Sequence, residues 1–239
     1  MFAGPNGSGK STIKSVIGPE LLGIYINPDD LEKEIKISEF IPLDTYEITS
    51  SQEEILYFFR NSPLLKPSTL AGTTQALRFD NNRIYFDRIA PNPYFATVTA
   101  DFIRNKLLET NKSFSFETVM SHPDKIEFLR KAQKLGYRTY LYYVATASPE
   151  INMSRVQYRV KMGGHTVPED KITSRYYNSL SLLKSAVQHS NRAYIFDNSN
   201  ALYLWVAEIT EGKFVEVKTD ELPLWVKTFL LDNLPHTKD

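Results

Sequence analysis

Gly4-Pro5-Asn6-Gly7-Ser8-Gly9-Lys10-Ser11-Thr12 lies at the start of a 239-residue chain, and its first eight residues fit G-x-x-x-x-G-K-[ST] in full. A phosphate chain needs a nest of backbone N–H donors, and glycines let the backbone wrap that closely. In this pattern Lys10 reaches the β- and γ-phosphates, and Ser11 ligates Mg²⁺. Phe2-Ala3 before the loop is apolar. Ser11 to Ile17 after it suits a helix whose N-terminus faces the phosphates. Strand, glycine loop and helix is the context the motif requires, so Gly4 to Thr12 is read as a site for ATP and Mg²⁺. Only Met1 to Ala3 precede the loop, whereas a central strand usually has about 5–6 residues. Either the first strand is short or the natural start lies upstream, and the second is the expectation.

Composition narrows the partners. Lys+Arg and Asp+Glu balance at 28 each, so no global field favours nucleic acid or an anionic membrane. The apolar fraction of 42% supports a sizeable core, and cysteine is absent, which fits a cytoplasmic setting. No apolar run approaches the ~20 residues of a membrane span, and no secretory leader is visible.

Outward from the loop, Gly18-Pro19 stops the first helix. Gly23 to Asn27 reads as a short buried strand ending in Pro28-Asp29-Asp30. In an open α/β sheet, ligands bind at that edge. Asp29 and Asp30 could serve there, or one could cap a helix starting near Leu31. Ser113 to Phe116 is a third strand, closing on Glu117-Thr118. Arg138 to Ala145 is nearly all apolar, as suits a strand covered on both faces. A helix from Ser148-Pro149-Glu150 to about Met162 carries Arg155 and Arg159 four apart. Gly163 to Pro168 is a hinge-like loop, a long helix follows from Glu169, and Arg192 to Phe196 is a fifth strand. Leu202–Ile209 and Lys213–Val217 flank Glu211-Gly212 as a hairpin, with Trp225 on a closing helix.

This alternation predicts an α/β fold with a parallel sheet and right-handed crossovers, flanked by helices. Five strands with a loop-helix-helix segment after the fourth resemble the small P-loop kinases, which implies a P-loop NTPase fold with the strand order 2-3-1-4-5. A single domain is expected over 1–239, with an insertion at 36–95, a lid region at 149–176 and a C-terminal hairpin and helix at 201–234. The insertion has little regular periodicity, and a stretch of about sixty such residues points to a functional element.

Several motifs, in order, resemble the zeta-toxin group, in its chromosomal branch of zeta-toxin-like P-loop kinases or predicted ATPases. They are Gly-Pro-Asn-Gly-Ser-Gly-Lys-Ser-Thr, Asn-Pro-Asp-Asp, Phe-Glu-Thr, the run from Arg155 to Pro168, and Asp197-Asn-Ser. The resemblance covers most of the chain except Lys36 to Phe95. It implies phosphoryl transfer from ATP to a hydroxyl of a small molecule, in toxin members a UDP-N-acetyl sugar, and leaves open an antitoxin-like partner. By the same resemblance Lys10 and Ser11 hold phosphate and Mg²⁺, and Asp29 is the catalytic base, with Asp30 beside it as a substrate-binding residue. Glu117 and Thr118 bind substrate, and Arg155 or Arg159 is the lid cation. His165 stands where toxin members carry a second nucleotide-side arginine.

The residues also permit other roles. Glu117 could hold a Mg²⁺-bound water instead. A mechanical ATPase would need an L-S-G-G-Q-like segment and a strong hhhhDE run, and neither is present. A kinase of another metabolite, or a nucleotide-binding module, stays open. For the insertion, the expectation is an acceptor-side cap in which Arg78, Arg83 or Arg88 meets an anionic substrate group.

Overall fold

The computed structural model describes residues 1–66, 73–90, 92–164 and 166–233. Its contacts group into two compact units: Met1–Leu21 with Glu117–Asp239, and Leu22–Phe116.

In the first unit, β1 (Phe2–Ala3) runs parallel to β7 (Tyr140–Ala145), with Phe2 opposite Tyr142. On its other side it pairs with the last two residues of β6 (Phe114–Thr118), Phe2 opposite Glu117 and Ala3 opposite Thr118. β8 (Arg192–Asp197) lies parallel to β7 along its whole length. In the second unit, β2 (Ile24–Ile26) pairs in parallel with Phe114–Phe116. Taken pair by pair, the five parallel strands follow the expected 2-3-1-4-5 order.

The predicted hairpin goes further than expected. β9 (Leu204–Thr210) joins β8 antiparallel, and β10 (Phe214–Val217) folds back on β9. Val206, Ala207 and Ile209 are fully buried, while all four residues of β10 are exposed, so β10 is an edge strand.

β7 is buried on both faces, as its apolar run requires. Successive strand residues point to opposite faces. Val144 therefore meets Ile13 of α1 (Lys10–Lys14) together with Phe196, and Tyr143 faces α8 (Glu169–Gln188), its hydroxyl 3.0 Å from Ser179 Oγ. α6 (Asp124–Lys134), α7 (Pro149–Lys161) and α9 (Leu224–Phe229) complete this unit's helices of the parallel layer, with α2 (Pro19–Leu22) at the boundary.

In the second unit, α3 (Pro28–Ser38) begins three residues before the expected Leu31. Asn27 is its N-cap, its side chain accepting from Asp29 N at 2.9 Å, and Pro28 occupies the first turn. Neither Asp29 nor Asp30 is the cap. The insertion also holds regular structure that its sequence hides. β4 (Arg78–Asp80) and β5 (Arg83–Tyr85) form a hairpin across Asn81-Asn82, whose φ angles of 47° and 55° are those of a tight two-residue turn. With β3 (Phe40–Pro42) they make an antiparallel sheet in the order β3-β5-β4. Three-residue strands are too short to show alternation, which is why the periodicity looked irregular. α4 (Gln52–Asn61) and α5 (Pro93–Glu109) bring Phe59 and Phe95 against Phe86, with ring centroids 6.1–6.4 Å apart. These aromatics are core. No helix among the described residues is long and apolar enough to cross a membrane.

Candidate nucleotide site

The loop from Gly4 to Gly9 follows β1 and ends as the N-cap of α1. Two of its glycines are dictated by contact. Gly4 has φ +142°, and a Cβ there would lie 1.9 Å from the carbonyl oxygen of Val144. At Gly9, φ is +95° and a Cβ would lie 2.0 Å from Asn198 Nδ2. The loop is thus pressed onto β7 and onto the turn after β8, a fit that any side chain would break.

Lys10 folds back across the loop, its Nζ donating to Gly4 O at 3.0 Å and Pro5 O at 3.1 Å. Two polar atoms of the loop, Ser8 Oγ and Asn6 Oδ1, are buried without a hydrogen-bond partner in the structure. Burying such atoms unpaired is costly, and a phosphate group is the kind of ligand that would satisfy a hydroxyl there. Pro5 is buried, and Thr12 is exposed on α1.

Ser11 Oγ lies 3.1 Å from Glu117 Oε1, across a sequence separation of 106 residues. Glu117 is 8% exposed. It sits inside β6, which runs on to Thr118 instead of stopping at the expected Phe116. The hydroxyl of the loop and the acid of the neighbouring strand therefore share one position. The donor set suits Mg²⁺, which keeps most of its waters and takes only one or two protein groups with phosphate oxygens. Among the described residues no cluster of three or more His, Cys, Asp or Glu could hold a metal by itself. Thr118 Oγ1 accepts from Met120 N at 3.0 Å and stabilises the turn after the strand.

The two lid arginines differ. Arg155 is half-buried on α7, its Nη2 reaching Asn200 O at 3.5 Å, while its Nη1 is buried without a hydrogen-bond partner. Arg159, one turn later, is exposed. His165 lies outside the described residues. Asp29 and Asp30 belong to the second unit, exposed in the first turn of α3. Asp30 pairs loosely with Lys33 at 3.4 Å. Of the insertion's arginines, Arg78 pairs with Asp87 at 2.8 Å and lies over Tyr85, Arg83 lies over the Phe40 ring, and Arg88 is exposed.

A cavity of about 660 Å³ lies in the second unit, lined by residues including Gly23, Ile24, Tyr46, Glu47 and Lys112. It lies at the amino-terminal ends of β2 and β6, at the other end of β2 from Asn27. Burial, then the negative charges of Glu34 and Asp30, push the Tyr46 phenol up to about 12, so it stays neutral at physiological pH.

Residues 94–209 match the family model described as Zeta toxin, a span that takes in Glu117, Thr118, Arg155 and Arg159. Over this span, just under half of its length, the chain resembles zeta toxins. A Haemophilus influenzae protein described only as uncharacterized is 35% identical over 63 residues, which are 26% of this chain and 45% of that protein. A crystal structure of AvrRxo1-ORF1:-ORF2 with ATP shares the fold, with a TM-score of 0.55 and 16% identity over 100% of this chain and 65% of that one. The native AvrRxo1-ORF1:-ORF2 complex gives 0.57 and 13% over 96% and 63%. The chain thus spans less than half the curated relative, and just under two thirds of the solved chains.

Two residues at the loop were not singled out from the sequence. Asn152 Nδ2 donates to Asn6 O at 2.7 Å, and Asn198 Nδ2 donates to Ser8 O at 2.8 Å. Asn198 was visible as part of the Asp197-Asn-Ser motif, without a role. Nothing in the spacing marks Asn152.

Proposed function

We propose that the chain transfers the γ-phosphoryl group of ATP to a hydroxyl of a small molecule, with a UDP-N-acetyl sugar as the acceptor that the resemblance suggests. The observation that carries this is the contact between Ser11 and Glu117 beneath a fully matched phosphate loop. It brings the hydroxyl that the loop pattern assigns to Mg²⁺ beside a strand-end acid, which supports a phosphoryl-transfer site. Lys10 neutralises charge on the phosphates, and Ser11 would hold Mg²⁺, which supplies positive charge at the phosphate oxygens. Glu117 holds Ser11 by this hydrogen bond and would accept from a Mg²⁺-bound water. Asp29 accepts the proton of the acceptor hydroxyl. It follows β2, whose partner in the ladder is the strand that leads into Glu117. The insertion at 36–95 contributes to acceptor choice in this reading, with the exposed Arg88 a candidate for an anionic group of the acceptor. A protein partner also belongs to the proposal, because the similar solved chains come from the two-component AvrRxo1-ORF1:-ORF2 complex.

The direct test supplies the purified chain with ATP and a small-molecule cell extract and follows the products by mass spectrometry. The expected result is one metabolite class that gains a phosphate only when ATP and the wild-type chain are both present. ATP consumption with no phosphorylated acceptor would favour an ATPase, and no consumption would leave a binding module.

The lid is tested by comparing its two arginines. Arg155→Ala is expected to lower kcat and kcat/KM together by about 10²-fold, with KM for ATP little changed, as for a cation used mainly in the transition state. Arg159→Ala is expected to change either by less than about threefold, because an exposed cation is screened by water. Equal losses would make both residues lid cations, and full activity in both would return α7 to a structural role.

A further inference from the structure

Four carbonyls of the phosphate loop are held by donors from the chain itself. Lys10 Nζ takes Gly4 O and Pro5 O, Asn152 takes Asn6 O, and Asn198 takes Ser8 O. The two asparagines come from separate elements, the first turn of α7 and the residue directly after β8. They are 0% and 8% exposed. Each is held in turn. Asn152 Oδ1 accepts from Thr146 Oγ1, just past the end of β7. The backbone N–H of Asn198 donates to Ala145 O at 2.8 Å. Next to it, Asp197 accepts from Trp225 Nε1 at 2.6 Å and from Ser199 N at 2.9 Å. Trp225 is 4% exposed on α9, so the hydrogen bond to Asp197 is shielded from water.

A trans peptide is planar, and its C=O and N–H point in opposite directions. Tying Asn6 O to Asn152 therefore turns the N–H of Gly7 away from Asn152, and tying Ser8 O to Asn198 turns the N–H of Gly9 away from Asn198. Donor orientation in such a nest depends on the carbonyls being anchored on the reverse side. We infer that Asn152 and Asn198 are positioning residues that aim the loop's N–H groups at phosphate, and that Trp225 extends this brace to the C-terminal helix through Asp197. The inference rests on the reading of the loop as an ATP site. The brace needs an amide. A carboxylate of the same shape only accepts, and it would face a carbonyl oxygen.

That last point gives a test that a merely structural role would not reproduce. Asn152→Asp and Asn198→Asp keep the shape and lose the donor when ionised, but regain one when protonated. Affinity for ATP with Mg²⁺ is measured for both variants and the wild type at about pH 5.5 and about pH 8, with thermal unfolding of each ligand-free protein. Expected at the higher pH is a loss of about 10- to 100-fold relative to the wild type, narrowing at the lower pH, because a carboxyl buried against a carbonyl oxygen is held above the ordinary aspartate range and gains its proton there. A pH-independent loss, or wild-type affinity at both values, would overturn the inference. Trp225→Phe keeps a ring in the core and removes only the N–H, leaving the loop's own contacts in place. It is expected to weaken ATP binding about threefold to tenfold, and unchanged affinity would remove the C-terminal helix from the brace. Absence of ATP binding by the wild-type chain would sink the parent reading. Wild-type binding with equal binding by all three variants would sink this inference alone.

Discussion

Replacing Lys10 with alanine is expected to abolish detectable ATP turnover, a loss of about 10³-fold or more. The ammonium is the one charge that the loop itself carries, and it rests 3.0 and 3.1 Å from the carbonyls of Gly4 and Pro5. In the proposed reaction it leaves those carbonyls for the phosphates, where charge shifts as the γ-phosphoryl departs. Its removal therefore acts in two states: with ATP bound the phosphates lose a point charge, and in the ligand-free protein two loop carbonyls lose their donor. The second effect is modest, on the order of 1–3 kcal/mol of local stabilisation, because water can replace a lost partner at a half-exposed site. ATP turnover and ATP affinity, measured beside a thermal unfolding curve, separate the two. A folded variant with wild-type turnover would mean that the active nucleotide site lies elsewhere.

The parts of this architecture that were legible in the sequence are those written in long or chemically singular stretches. Four of the six residues in Tyr140–Ala145 are buried, on both faces, and such a strand sits between two covered faces. The phosphate loop was legible for another reason. Gly4 and Gly9 leave no room for a side chain, so the backbone's contacts are encoded as residue identities. The order of the parallel strands followed from the alternation of strands and helices together with the resemblance, and the ladders agree with it.

What stayed hidden depends on partners distant in the chain or on very short elements. Asn152 meets Asn6 across 146 residues, and Asn198 meets Ser8 across 190. An asparagine on a helix carries no mark of such a role until the fold assembles it. β3, β4 and β5 have three residues each, too few for an alternating pattern. The N-terminus of α3 was misplaced because three candidate caps stand close together. Asn27 took the position, helped by Pro28, whose fixed φ suits the first helical turn. That outcome bears on the chemistry, since the carboxylates are not spent on capping.

Asp29→Asn is expected to leave ATP binding intact and to lower phosphoryl transfer to the acceptor by about 10²–10⁴-fold, the scale of a lost general base. The substitution is close to isosteric, and the cap of α3 comes from the Asn27 side chain, so the helix should keep its start. What changes is the ability to take a proton. An amide can still hydrogen-bond a hydroxyl but cannot accept its hydrogen as the new O–P bond forms, whereas the carboxylate can. Asp30 is the internal control. It sits one residue on, in the same turn, exposed and paired with Lys33 at 3.4 Å. Asp30→Asn should therefore stay within about threefold of the wild type, the effect expected for losing an exposed pair. Both variants are assayed for transfer to the acceptor and, separately, for ATP affinity. Loss in Asp30→Asn with activity kept in Asp29→Asn would move the base by one residue. Loss of ATP affinity in either variant would assign that carboxylate to nucleotide or metal binding, and full transfer in both would require a different proton acceptor, with Glu117 the first to test.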